Sequence, residues 1–400
     1  MCHDCCRKTV EYYGWLAGKE TDCHNLCGVH DPDLWFQSVM GVVRTTTVGL
    51  WRNGAERTGY FKTSSGGVPK RLKWRLSVRR GMRGAPVVAG DNLFISSQRE
   101  LPSRRGGYLY RISLKTRSVH RFRGTGYYEP SISGERVVIC RAESGGDNRL
   151  VCLDWRRNAE VWQSDGLSGF VMSPLIVGDW VFIADFNSVR AFRLASGKPV
   201  WQTTTGAVAS GPCQSATTLI VNTIREGLFA YVAATGRLKW RTVPPQAEES
   251  YATPCICRDR VIVVSKSRVA SEGHVSAFRL EDGQRLWSQI LPDLGDASPA
   301  CDGRRIFTVG LQGTVSCLDI QDGRVLWASC LQAGSSCSPS VAGASLYIGD
   351  NDGWLYTLDT RTGRVRWRYR TGDAVFGSPW VVSNQVIFAS SDGYLYCFDL

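Results

Sequence analysis

The feature that most limits how this chain can fold is a short phrase that recurs about every forty residues. It reads TLDTRTGRVRW at 357–367 and CLDIQDGRVLW at 317–327. Further copies end at Trp162, Trp201, Trp240 and Trp287. One position is Gly in every copy except the one that ends at Trp162, where Asn158 stands instead. Because Asn replaces Gly best at positive φ, this position is predicted to be a left-handed turn residue between two strands.

Prolines mark the same period. Each phrase is preceded by an apolar strand that opens with a small residue and Pro, followed by a second strand and a turn. The prolines are 38 to 45 residues apart, at Pro86, Pro130, Pro174, Pro212, Pro254, Pro299, Pro339 and Pro379. Four short strands in a unit of this length are typical of a β-propeller blade. The sequence therefore predicts an all-β fold, an eight-bladed propeller of four-stranded blades.

The ends of the chain predict how the ring closes. The eighth unit stops at YLYCFDL and lacks the TGxxxW continuation, whereas RLKW at 71–74 repeats RLKW at 237–240 and has no strands of its own before it. We expect this N-terminal strand to complete the eighth blade and so remove an open sheet edge. The aromatics that end the phrases are then Trp74, Phe122, Trp162, Trp201, Trp240, Trp287, Trp327 and Trp367. Each tryptophan is predicted to dock between neighbouring blades and to contribute about 3 kcal/mol or more.

Three segments follow from the repeat. Residues 68–400 form the predicted propeller, 46–67 a lead-in segment, and 1–45 a Cys-rich leader that has no repeat. In the leader, the spacing of Cys2, Cys5, Cys23 and Cys27 is close to that of a Zn²⁺ ribbon. The alternative is a disordered or non-native leader, with Met40 as another possible start.

The charge of the chain is strongly positive. Lys and Arg number 48 against 36 acids, which gives a net charge of +12. This excess permits binding to an acidic surface, but the basic residues are spread along the chain, as simple solubility would also produce. One strip has seven basic residues and no acid, Lys70, Arg71, Lys73, Arg75, Arg79, Arg80 and Arg83. It is a candidate anion-binding strip, and the alternative is an edge strand with a solvated face.

Other motifs favour structural roles. The DNDG sequence at 350–353 could suggest a Ca²⁺ loop, but it lacks the Glu that such a loop needs and suits a hairpin turn. His120 and His274 stand alone, and we expect both to be structural. Most of the 15 cysteines occupy strand positions where sister repeats have Ala or Thr, so they are interpreted as small core residues. No run approaches the roughly 18 apolar residues of a membrane helix, and the start has no secretory signal.

The phrase resembles the AxDxxTGxxxW tryptophan-docking motif of the pyrroloquinoline-quinone-like (PQQ-like) propeller family, over residues from about 68 to 400. GLWRNGAERTGY at 49–60 is similar to a lead-in found ahead of such propellers. One class in this family is the quinoprotein dehydrogenases, for which the resemblance implies PQQ and Ca²⁺ in the central channel, an Asp base and a disulfide between adjacent cysteines. Here adjacent cysteines occur only at Cys5 and Cys6, outside the propeller, and CxxCH is absent.

The other class consists of scaffolds, which include a propeller subunit of the bacterial outer-membrane barrel-assembly machinery. We therefore expect a non-catalytic scaffold that binds protein partners, forms a monomeric ring, and has no catalytic residue or cofactor. A PQQ-dependent dehydrogenase is the alternative. Lack of a signal peptide suggests the cytoplasm, whereas members of the family are often periplasmic or extracellular.

Overall fold

The structure is a computed structural model and describes residues 48–50, 52–62, 66–78, 82, 84–97, 107–125, 129–142, 148–167, 172–208, 210–242, 248–268 and 271–400. The chain divides into two compact units, 1–43 and 44–400, and every described residue belongs to the second. The predicted zinc ligands Cys2, Cys5, Cys23 and Cys27 lie outside the described residues. The same holds for Arg79, Arg80 and Arg83 of the basic strip.

The described residues form 34 strands, and these build eight antiparallel blades arranged in a ring. The eight-bladed, all-β propeller is thus confirmed. We call the strands of a blade A to D, from the axis outward. None of the described segments is a helix long and apolar enough to span a membrane.

Two strands precede the first complete blade, β1 (Val48–Gly49) and β2 (Arg71–Ser77). Blade 1 contains β3 (Val87–Ala89), β4 (Asn92–Ser96), β5 (Gly107–Ser113) and β6 (Val119–Thr125). Blade 2 contains β7 (Ser131–Ser133), β8 (Arg136–Ala142), β9 (Asn148–Asp154) and β10 (Ala159–Gln163). Blade 3 contains β11 (Leu175–Val177), β12 (Trp180–Ala184), β13 (Ser188–Arg193) and β14 (Pro199–Thr204). Blade 4 contains β15 (Cys213–Ser215), β16 (Thr218–Asn222), β17 (Leu228–Val232) and β18 (Leu238–Arg241).

In blade 5, β19 (Glu248–Glu249) is added to β20 (Cys255–Cys257), β21 (Arg260–Ser267), β22 (Glu272–Arg279) and β23 (Arg285–Pro292). Blade 6 contains β24 (Ala300–Cys301), β25 (Arg305–Val309), β26 (Thr314–Asp319) and β27 (Val325–Cys330). Blade 7 contains β28 (Ser340–Ala342), β29 (Ser345–Gly349), β30 (Trp354–Asp359) and β31 (Val365–Arg370). Blade 8 contains β32 (Trp380–Val382), β33 (Gln385–Ala389) and β34 (Tyr394–Asp399), and β2 is its fourth strand.

Burial changes from the B strands to the D strands in the way the ring requires. Every residue of the B strands β12, β16 and β29 is buried, because neighbouring blades cover both faces of the sheet. Residues of the D strands β27 and β31 alternate between exposed and half-buried, because these strands lie at the rim. The apolar core is therefore a series of layers between blades.

Strand β2 closes the ring. It pairs antiparallel with β34, with Arg71 opposite Asp399 and Ser77 opposite Tyr394, and a bulge interrupts the register between Leu72 and Trp74. The predicted closure by the N-terminal strand is confirmed. The edge that β34 would otherwise expose is covered.

The repeated turn has the conformation that the sequence predicted. Asn158 has φ 53°, and Gly363, at the same position in blade 7, has φ 70°. This confirms a left-handed residue between strands C and D. In blade 1, which lacks the Gly, Arg117 takes this conformation with φ 61°.

Candidate functional site

The tryptophans of the repeated phrase join each blade to the next. In five of them the indole Nε1 donates a hydrogen bond of 2.7–3.1 Å to a main-chain carbonyl of the following blade. The pairs are Trp162 to Leu194, Trp201 to Ala233, Trp240 to Leu280, Trp287 to Ile320, and Trp327 to Thr360. The ring also lies against the turn glycine of that blade. A Cβ on Gly363, for example, would be 2.4 Å from Cε3 of Trp327.

The phrase aromatics around the closing blade are packed differently. Trp74 on β2 is 7% exposed and belongs to a core cluster that also contains Phe122 of blade 1. The ring of Trp367 meets that of Phe398 edge to face, with centroids 4.9 Å apart. Aromatic contacts there take the place of the glycine turn that the eighth unit lacks.

The described residues of the basic strip contact the end of strand β34 and its neighbours. Nε of Arg71 and Nζ of Lys73 lie 3.2 Å and 3.0 Å from the two carboxylate oxygens of Asp399. Nζ of Lys70 donates to the main-chain oxygen of Leu400 at 2.9 Å, and the guanidinium of Arg75 lies over the ring of Tyr394. These cations thus hold the closing strand in place, and an anion-binding role for the strip stays a prediction.

Residues 52–59 of the lead-in segment lie at the centre of the ring. Because β1 pairs with the innermost strand of blade 2, the segment starts there. It then meets blades 4 to 7 in order, and in each of them the main-chain amide of the second residue after the repeat proline donates to a lead-in carbonyl. The four donor and acceptor pairs are Gln214 and Ala55, Ile256 and Glu56, Cys301 and Thr58, and Val341 and Gly59, at 2.8–2.9 Å. Only a segment on the axis can reach so many inner strands, whose free edges it satisfies.

Two buried arginines fix this central segment. Nη2 of Arg57 donates to the carbonyl of Pro174 at 2.9 Å, and its Nε donates to that of Pro212 at 3.3 Å. Arg52 donates to the carbonyl of Pro299 and, at 3.0 Å, to that of Arg57. Burial lowers the pKa of both guanidinium groups to about 10, so both remain charged at neutral pH. The axis is therefore filled by cations bound to main-chain oxygens.

Cysteines surround this centre. Burial raises the pKa of Cys255 and Cys337 to about 12 and that of Cys213 well above its ordinary value, so these thiols stay protonated and unreactive at neutral pH. Cys257 and Cys301 form a disulfide between the inner strands of blades 5 and 6. No local pattern predicts this pairing, because the two residues are 44 positions apart.

The central residues do not fit a quinone. PQQ is a planar dicarbonyl with several carboxylates, and it would need open space and free donors on the axis. Arg57 and Arg52 instead donate hydrogen bonds to the carbonyls of Pro174, Pro212 and Pro299. Within the part of the chain that the structure describes, no group of three His, Cys, Asp or Glu side chains is placed to hold a metal ion. In the DNDG turn, Oδ1 of Asp350 already accepts from two main-chain amides.

A cavity of about 390 Å³ lies between blades 4 and 5, and we call it the interblade pocket. Among the residues that line it, Oε1 of Glu248 lies 2.9 Å from Nδ1 of His274, and the hydroxyl of Ser265 donates to Oε2. Glu248 is 8% exposed. On the same wall Ser276 and Ser288 are hydrogen-bonded to each other at 2.9 Å. The pocket brings together a carboxylate, an imidazole and several hydroxyls that the sequence did not link.

Blade 5 forms this pocket because it departs from the repeat. Its strands β21, β22 and β23 have eight residues each, whereas β16, β17 and β18 of blade 4 have five, five and four. The longer strands extend beyond blade 4, and one face of them lines the cavity. His274, which the sequence suggested is structural, lies on this face.

Comparison with known proteins identifies the family. The family model described as outer membrane protein assembly factor BamB matches residues 126–203, 185–289 and 271–400, which is more than half of the chain. The chain belongs to this family. The predicted resemblance to PQQ-like propellers is thereby confirmed.

Individual members of the BamB family, and proteins of related fold, share low sequence identity with this chain. BamB of Bordetella pertussis (strain Tohama I) is 29% identical over 127 residues, which are 31% of this chain and 31% of that protein. The chain therefore matches about a third of the length of this relative. The crystal structure of BamB from Moraxella catarrhalis is 19% identical, with a TM-score of 0.65 over 82% of this chain and 99% of that one.

Quinohemoprotein alcohol dehydrogenase from Comamonas testosteroni is 11% identical, with a TM-score of 0.70 over 92% of this chain and 84% of that one. At these identities, the likeness to the solved structures shows the fold alone. Membership of the BamB family supports a scaffold or protein-binding role, while dehydrogenases share the architecture.

Proposed function

We propose that this chain is a non-catalytic scaffold that binds protein partners during the assembly of outer membrane proteins. The observation that carries the proposal is the filled axis. The lead-in segment bonds to the inner strands of blades 2, 4, 5, 6 and 7, and the charged groups of Arg52 and Arg57 occupy the centre.

A filled axis favours a scaffold over a quinone enzyme for a physical reason. To admit PQQ, the chain would have to displace Arg57 from the two proline carbonyls and leave those buried acceptors without donors. Each such orphaned group costs about 1–3 kcal/mol. The same bonds tie the blades to one central segment, so the ring presents its loops and rim as a rigid surface.

The enzymatic arm of the test uses purified protein with PQQ and Ca²⁺. We expect neither quinone absorbance retained after gel filtration nor dye reduction with alcohols or aldose sugars. Arg57→Ala is the matched variant, because it opens space on the axis without altering the surface. Quinone-dependent dye reduction by the unaltered chain would refute the scaffold proposal.

The binding arm uses a photo-crosslinking amino acid in cells that produce the protein. Suitable positions are Phe186 and Leu311, which are 44% and 45% exposed in turns between strands B and C, and Val200 and Val365 on the rim strands. A scaffold should give a discrete protein adduct, identified by mass spectrometry, from one group of positions and not from the other. The proposal fails if all four positions give no protein adduct.

A further inference from the structure

We propose that the outer rim of blades 7, 8 and 1 binds an acidic segment of a protein partner. The first observation is how charge is distributed among the outermost strands. Strands β31 and β2, of blades 7 and 8, carry six basic side chains and no acid: Arg366, Arg368, Arg370, Arg71, Lys73 and Arg75. Strands β10, β14 and β27, of blades 2, 3 and 6, carry no Lys or Arg. Cations of the rim are therefore concentrated on one side of the ring.

Three consecutive blades also present an arginine in the same way. In each, Cζ lies 4.5–5.0 Å from the centroid of an aromatic ring on the neighbouring strand C. The pairs are Arg368 and Trp354 in blade 7, Arg75 and Tyr394 in blade 8, and Arg121 and Tyr108 in blade 1. We call Arg368, Arg75 and Arg121 the stacked arginines, and all three are exposed to solvent.

The strand register shows that this arrangement belongs to one arc of the rim. The stacked arginines stand opposite the strand C residues Tyr356, Tyr396 and Tyr110. At the equivalent positions, the outermost strands of blades 3, 5 and 6 have Gln202, Ser288 and Ala328, which carry no charge. The repeat itself therefore does not require an arginine there.

The charge of the stacked arginines is not neutralised by a neighbouring carboxylate. The ion pairs of this arc are made by other cations, Arg71 and Lys73 with Asp399 and Arg366 with Asp359, and within the described ranges the stacked arginines make none. Asp350 and Asp392 instead accept hydrogen bonds from the hydroxyls of Tyr356 and Tyr396, at 2.9 Å and 2.6 Å. Arg75 also donates to the hydroxyl of Tyr396, which uses only part of the donor set of a guanidinium.

A guanidinium that lies flat on an aromatic ring suits a carboxylate held by a protein. The ring covers one face of the guanidinium and restricts its motion, while the N–H groups at the edge can bind a carboxylate through two parallel hydrogen bonds. A fluid anionic bilayer gains little from cations in fixed positions and is usually bound with the help of inserted apolar or aromatic side chains. Trp354 and Tyr394 are half-buried beneath their arginines, so they neither protrude into lipid nor offer an open face to nucleic-acid bases.

The test is fluorescence polarisation with a labelled peptide of about 20 alternating Glu and Ser residues, which reaches about 65 Å when extended. We expect binding at low ionic strength that weakens as salt is added, and none with a peptide in which Gln replaces Glu. The triple variant Arg75→Gln, Arg121→Gln and Arg368→Gln should weaken binding about tenfold, because each exposed ion pair accounts for about a two- to threefold change. Replacing the same three residues with Lys should restore only part of the affinity, since Lys keeps the charge but not the planar fork.

The matched control is the triple variant Lys198→Gln, Arg237→Gln and Arg285→Gln, which removes the same charge from exposed positions in blades 3, 4 and 5. It should bind the acidic peptide as the unaltered chain does, and thermal melting checks that both variants fold. The proposal is overturned by absence of binding to the acidic peptide, or by equal losses in the two triple variants. Tighter binding of phosphatidylglycerol vesicles or of duplex DNA than of the peptide, lost in the first variant, would likewise overturn it.

This inference rests on the proposed scaffold function, because it names the chemistry of the partner, but the two fail separately. Protein adducts at the crosslinking positions without binding of the acidic peptide would leave the scaffold role standing and remove the acidic partner. Quinone-dependent dye reduction would refute the scaffold role, whatever the peptide does.

Discussion

Closure of the ring by β2 can be tested at Trp74. The side chain is 7% exposed and packs in the core cluster shared by blades 8 and 1. Truncating a buried Trp to Ala typically costs about 3–5 kcal/mol. We therefore expect Trp74→Ala to lower the free energy of unfolding by that amount. Trp327 is half-buried and its indole donates a hydrogen bond to Thr360, so Trp327→Ala should lower the free energy of unfolding by about 3 kcal/mol.

Urea unfolding followed by far-UV circular dichroism measures these differences without relying on the fluorescence of the residue removed. Leu72→Ala is the control, because Leu72 lies on the same strand and is 38% exposed, so it should cost less than about 1 kcal/mol. The point variant is cleaner than deletion of residues 1–80, which would also remove the central lead-in segment. A loss below about 1 kcal/mol for Trp74→Ala, together with about 3 kcal/mol for Trp327→Ala, would refute closure by β2.

Two further predictions concern the blade contacts and the closing ion pairs. Gly363→Ala should lower the free energy of unfolding by about 2–5 kcal/mol, because alanine is strained at φ 70° and its Cβ would meet Trp327 at 2.4 Å. The control is Gly166→Ala, where the added Cβ meets open space and should have little effect on the melting temperature. Equal losses in the two variants would contradict this reasoning. The hydrogen bond from Lys73, and after it that from Arg71, holds the pKa of Asp399 below its ordinary 3.8. The ion pairs therefore stabilise the folded state above that pH, and this stabilisation is lost as the pH falls through the lower, folded-state pKa. The difference in melting temperature between the unaltered chain and Asp399→Asn should therefore be present at pH 7 and shrink in strong acid or high salt, and a difference independent of both would argue against the ion pairs.

The fold could be predicted because its signals are periodic. Pro130 or Trp327 alone would say little, but eight prolines at intervals of 38 to 45 residues define the blades, and RLKW at 71–74 identifies the closing strand. The central role of Arg52 and Arg57 could not be predicted in this way. Their partners are main-chain carbonyls, which every residue has and no sequence pattern marks.

The interblade pocket was missed for another reason. Glu248 and His274 approach each other only because the strands of blade 5 are longer than those of blade 4, and the sequence fixes strand ends poorly. The basic strip illustrates the same limit. Its sequence shows no acid nearby, yet Asp399, 328 residues from Arg71, is its partner. Contacts between the two ends of a chain depend on closure of the ring, which local composition does not encode.

The pairing of β2 with β34 also sets an order of events during synthesis. Strand β2 is made early, but its partner is made 328 residues later, and the lead-in carbonyls meet their amides only as blades 4 to 7 appear. Until blade 8 leaves the ribosome, these N-terminal residues have unpaired backbone groups that are available to chaperones, proteases or other strands. Contacts of such long sequence separation form slowly. The ring can therefore close only after all eight blades have been made. A chain whose synthesis stops earlier keeps these unpaired backbone groups.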